Sequence, residues 1–143
     1  MKINFNNDIM IVNFAGDKKS MNEILDPISN EYEGPLINRQ GHNFPAEYIN
    51  KEHILYPYKS KCKYVIGVTG TTNLRHEMLH AKFYIDKKYR ESIINEWNEL
   101  SDDRRKKITD FLKKLGYSDK VIIDEYQAYR YSEKPNFFGF KIE

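Results

Sequence analysis

The chain has 143 residues, of which 40% are hydrophobic, 31% charged and 14% aromatic, and its formal net charge is +2. These proportions suit one globular domain able to bury a core, and a charge so near zero supplies no broad basic field for non-specific nucleic-acid binding. The single cysteine, Cys62, excludes an intramolecular disulfide and a thiolate cage, so any metal has to be held by histidine and carboxylate. Residues 1–16 lack the uninterrupted apolar run of a leader or membrane span. The expectation is one cytoplasmic domain over 1–143 with no membrane partner.

In chain order, Ile3 and Phe5, then Ile9 to Phe14, suit two short strands with a turn at Asn6-Asn7-Asp8. Ser20 followed by Glu23 is a capping-box pattern that predicts a helix opening at Met21, disturbed at Pro27 and ending near Gly34-Pro35. Residues 36–61 are punctuated by Gly41, Pro45 and Pro57 and read as loops with one or two short strands. Tyr64 to Thr69 is β-branched and aromatic, closes at Gly70, and reads as a strand able to pair with an extended peptide. The next helix, capped by Thr71 or Thr72, carries a stripe of Leu74, Met78, Ala81 and Ile85 that should face the core. Helices follow over Lys87 to Leu100, from Ser101 to Gly116, and after Ser118, the last with Val121, Ile122, Ala128 and Tyr129 on one face. Lys134 to Glu143 returns as a strand or packed tail. The class is α+β: a small twisted sheet from the N-terminal half with helices beneath it.

The residues that suggest chemistry are His76-Glu77-Met78-Leu79-His80. In this HExxH pattern a helix sets two imidazoles one turn apart so that both reach one ion, and the glutamate beside them is placed to act as general base. At about 100° per residue the two histidines lie opposite the apolar stripe, leaving one face to pack and the other to coordinate. A third protein ligand is needed, and Asp124-Glu125 offers it. Glu125 lies between Val121, Ile122, Ala128 and Tyr129 on the apolar face, where an ionised carboxylate is costly without a compensating cation, whereas Asp124 points elsewhere.

With His76, Glu77, His80 and Glu125 in hand, the segment from Tyr64 to Tyr129 resembles the gluzincin class of zinc metallopeptidases, in which HExxH on one helix is completed by a glutamate on a later one. The resemblance implies a small zincin-like domain holding one zinc ion, with Glu77 catalytic and a peptide or protein as substrate. In that class a tyrosine or histidine beyond the third ligand stabilises the oxyanion, which here falls to Tyr129 or Tyr131. The chain departs from the class at Tyr129, where an acid that orients the first histidine is often found.

Two other readings use the same residues. A zinc-stabilised interaction module without catalysis would close the coordination with a fourth ligand such as His42 or His53. A nucleic-acid-associated zinc protein would dock the Arg104 to Lys114 helix on phosphates, which the small net charge disfavours.

Overall fold

Alternation along four short strands sorts the first half of the chain into two packed layers. The computed structural model describes residues 1–142. Strands β1 (Lys2–Asn6), β2 (Ile9–Asn13), β3 (His42–Pro45) and β4 (Tyr64–Val68) form one mixed sheet in the order β1-β2-β4-β3. The β1–β2 and β3–β4 pairs are antiparallel and β2–β4 is parallel. Met10, Val12, Phe44 and Val65 point to one face, where helix α1 (Lys18–Glu33) lays down Met21, Leu25 and Ile28. Ile9, Ile11, Tyr64 and Ile66 point to the other, against helix α2 (Leu74–Ile85). Gly67 allows the first contact, because a Cβ there would run into the Leu25 side chain.

Helices α3 (Lys87–Glu99), α4 (Asp102–Lys114) and α5 (Ile122–Ser132) build a separate apolar cluster from Trp97, Ile108, Leu112, Ile122 and Tyr126, closed by Phe137 and Phe138 of the tail. Among the described residues, 134–142 of the tail pack without becoming a strand. Helix α2 lies between the two cores, touching β4 on one side and α5 on the other. The α+β class is as expected. No helix among the described residues is long and apolar enough to cross a membrane.

Several local expectations are corrected. Helix α1 opens three residues before Met21, because the Asp17 carboxylate accepts from both the amide and the hydroxyl of Ser20, although it runs through Pro27 and ends at Gly34 as expected. Asn73, not Thr71 or Thr72, precedes α2. Ser118 makes no side-chain cap, and a single 3-10 turn at Asp119–Val121 leads into α5. Strand β4 cannot take a peptide partner, since β2 and β3 already occupy both its edges. On α4 the charges pair within the helix, Lys106 with Asp110 and Lys107 with Asp103.

His42 illustrates how the sheet and α1 are locked. Its Nδ1 lies 2.7 Å from Ser29 Oγ and its Nε2 2.7 Å from Asn22 Oδ1. A neutral ring meets both partners, accepting from the serine and donating to the amide oxygen. Burial, then the charge of Arg39, lowers its pKa to about 3. Because the folded value lies below the unfolded one of about 6.5, this contribution is full above pH 6.5 and is lost as pH falls towards 3. In chelator-treated protein, urea unfolding is expected to show wild type more stable than His42→Gln at pH 7, with the gap shrinking by up to about 1.4 kcal/mol per pH unit on acidification. A gap constant between pH 7 and 4.5 would rule out a buried neutral His42.

Candidate metal centre

Helix α2 presents His76, Glu77 and His80 to a cleft of about 310 Å³ that is also lined by Glu33, Gly41, Asn43, Tyr117, Glu125 and Tyr129. The segregation expected for α2 is only partial. Its buried residues are Glu77, His80 and Ala81, while Leu74 and Met78 are half-covered against the sheet and Ile85 is exposed. Both faces of the helix are therefore used, because α5 covers the histidine side.

Helix α5 supplies the acids. Glu125 Oε1 lies 3.3 Å from His80 Nε2 and 3.8 Å from His76 Nε2, and the two nitrogens are 3.2 Å apart. Ligand atoms bonded at about 2.0–2.1 Å to a tetrahedral ion are separated by about 3.3 Å, so this triangle has the size such an ion requires. The Glu77 carboxylate also comes within 4.8 Å of the histidine nitrogens. Of the two glutamates, Glu125 is the better third ligand, since Glu77 Oε1 already accepts from Asn43 Nδ2 at 3.2 Å. By contrast Glu125 Oε1 is buried with no hydrogen-bond donor among the described residues.

The outer nitrogens set the tautomers. His80 Nδ1 is 2.8 Å from Asp124 Oδ1, an acceptor that holds hydrogen on that side of the ring. His76 Nδ1 is 3.0 Å from Ser132 Oγ, which spends its own hydrogen on Ala128 O and so accepts from the ring. Both inner Nε2 atoms are thereby left with lone pairs facing the orphaned Glu125 oxygen. Three acceptors this close, in a desolvated site, need a positive charge among them. Without an ion the demand falls on His80: burial opposes its charge, but Asp124 and Glu125 push its pKa well above the usual histidine range. Burial raises Glu125 as well, yet the positive charge of His80 beside it more than offsets this and holds it at about 2.

Asp124 therefore does not point away from the site. It is buried, accepts from His80 and from Gln127 Nε2, and fixes the ring that Glu125 faces. Loss of such a partner weakens metal affinity by roughly 10–100-fold, and Asp124→Ala is expected to do so in zinc titration against a competing chelator. Unchanged affinity would reduce Asp124 to packing. Ser132 takes the corresponding place beside His76, whose ring lies tilted against that of Tyr129 with the centroids 4.5 Å apart.

Glu77 is held from two sides. Tyr64 OH donates to Asn43 Oδ1 at 2.6 Å, which orients the Asn43 amide to donate to Glu77. Gly41 lies so close that a Cβ there would strike the Glu77 carboxylate. Burial raises the Glu77 carboxyl, against the opposing pull of His76 and His80. Tyr129 lines the cleft, its hydroxyl 2.8 Å from that of Tyr117. Burial, then Glu125, raises the Tyr129 phenol to about 12, so it remains a donor at neutral pH. Tyr131 is exposed, donates to Glu96 and does not line the cleft. His42 and His53 are engaged elsewhere, His53 with Ile24 O and the Leu55 amide.

Asn43, Gly41, Ser132 and Tyr117 were not singled out from the sequence as parts of this site, and Asp124 was weighed there only as the lesser candidate ligand. Only Asp124 carried a signal, its place next to Glu125. Comparison with protein-family models, curated proteins and solved structures finds no match to this chain.

Proposed function

We propose that the chain is a zinc-dependent peptidase with a zincin-like centre, in which His76, His80 and Glu125 hold the ion and Glu77 is the general base. The observation that carries this reading is the convergence of two imidazole lone pairs and the unpartnered Glu125 Oε1 within 3.8 Å of one another. Its position in an open cleft, with Glu77 beside it, favours a reacting centre over a closed structural site. The engagement of His42 and His53 elsewhere weighs against a fourth protein ligand and hence against a purely structural module.

A zinc ion supplies Lewis-acid polarisation of a peptide carbonyl and acidifies water at the centre. Glu77, with one oxygen anchored by Asn43, takes a proton from the attacking water and returns it to the departing amine. Tyr129 donates to the carbonyl oxygen as negative charge develops there, its ring held by His76 and its hydroxyl by Tyr117. Asp124 and Ser132 keep the imidazoles from rotating.

The test is hydrolysis of a mixed-sequence quenched-fluorescent peptide pool by zinc-loaded protein. Cleavage that stops with 1,10-phenanthroline and returns on adding zinc is the expected result. Zinc-loaded protein that cleaves no member of the pool would reject the peptidase reading.

A further inference from the structure

Glu33 ends helix α1 and lines the same cleft as His76, His80 and Glu125, yet the hydrolytic chemistry above makes no use of it. It is 4% exposed. Its Oε1 accepts from Arg39 Nε at 3.2 Å, while the other oxygen has no donor among the described residues. Arg39 gives nothing further to the cleft: its remaining nitrogens serve Asp26, Asn30, Leu36 O and Gly34 O, which fixes the 34–41 loop and with it the Glu33 side chain.

Resting on the peptidase reading, we propose that Glu33 selects the substrate by pairing with an ammonium group, carried by a lysine side chain or a free amino terminus, on a peptide lying in the cleft. Three independent features point to a cation. Glu33 stands at the C-terminal end of a sixteen-residue helix, where the dipole disfavours a carboxylate and favours a positive partner. The cleft is lined by Glu33, Glu77, Glu125 and Glu133 against Arg39 alone, with no lysine among the described lining residues, so carboxyl groups outnumber fixed cations there. Burial raises the Glu33 carboxyl, a cost that an incoming cation relieves. The rim distinguishes a peptide from a bare ion: Ile37 is 90% exposed and Leu115 46% exposed, and both line the cleft, offering aliphatic surface to the rest of the chain that carries the ammonium.

Zinc-loaded Glu77→Gln protein separates binding from turnover. It is titrated with fluorescent hexapeptides of one frame, with lysine or norleucine placed at each position in turn, and with a free or acetylated amino terminus. One lysine position, or the free terminus, is expected to bind about tenfold tighter than its neutral counterpart, the scale of one charge-assisted hydrogen bond. Adding Glu33→Gln erases the difference and Glu33→Asp retains part of it, with zinc content and melting temperature showing that the fold persists. If Glu33→Gln melts early, the charged-against-neutral comparison with Glu33 intact and with Glu33→Asp decides. Equal affinities, no measurable binding, or a preference that survives Glu33→Gln would overturn the assignment. Wild-type turnover is read separately: charge-selective binding without cleavage sinks the peptidase reading and leaves Glu33 standing, whereas cleavage indifferent to charge sinks Glu33 alone.

Discussion

Glu77→Gln is expected to lower peptide turnover on the order of 10³-fold, within the range supplied by a positioned general base, while leaving bound zinc unchanged. The amide is isosteric with the carboxylate, so the close approach to Gly41 survives, and one side of the group can still meet Asn43. What is lost is the ability to take a proton. The result is read as kcat at constant zinc content by elemental analysis. A loss of zinc together with activity would mean that Glu77 is a ligand, the natural competitor since its carboxylate lies within 4.8 Å of the histidine nitrogens. Activity retained with zinc bound would remove Glu77 from the mechanism altogether.

Glu125→Gln is expected to have an equally large effect on binding. Apparent zinc-binding energies of roughly 10–16 kcal/mol, shared over four ligands, put one ligand at several kcal/mol, or about two orders of magnitude or more in affinity. The readout is thermal. An ion that binds only the folded chain stabilises it by about 2.7 kcal/mol at a hundredfold excess over Kd, which for a domain of this size raises Tm by roughly 5–10 °C. Wild type should show that rise on adding zinc and Glu125→Gln should not. Because ligands bind the ion in place of protons, the rise should also shrink as pH falls. If Glu125→Gln keeps the full shift, the third ligand lies elsewhere.

The parts of this site that were legible are those whose geometry is local. His76 and His80 are one turn apart whatever the rest of the chain does, and Glu77 rides between them, so their association follows from the helix alone. Glu125 was reached by a chain of reasoning that holds only in part: it does lie among apolar neighbours, but α5 is buried on nearly every side, Asp124 and Gln127 included. An apolar stripe is distinctive only on a helix with a solvent face, and packing of α2, α3 and α4 around α5 removes that face. The same shortcoming hid Asp124, because the outer nitrogen of His80 can find it only once α2 and α5 are packed. Gly41, Asn43 and Glu33 come from a loop, a four-residue edge strand and a helix end, none of which has a periodicity to read. The peptide-pairing expectation failed in a related way at β4, since β-branched and aromatic content identifies a strand without saying which neighbours it has.

Helix α5 contributes Asp124, Glu125, Tyr129 and Ser132 to one cluster, and each meets a different atom of α2 or of a ring that α2 carries. Such an element has a rotational setting as well as a position. A residue inserted between Glu125 and Tyr129 would turn everything after it by about 100° and part Tyr129 and Ser132 from His76 in a single step. An insertion between Gly116 and Lys120, ahead of the helix, would leave the whole set in phase. Tolerance to length change should therefore alter abruptly across Ile122, at a boundary drawn by helical phase and invisible in the burial of individual residues.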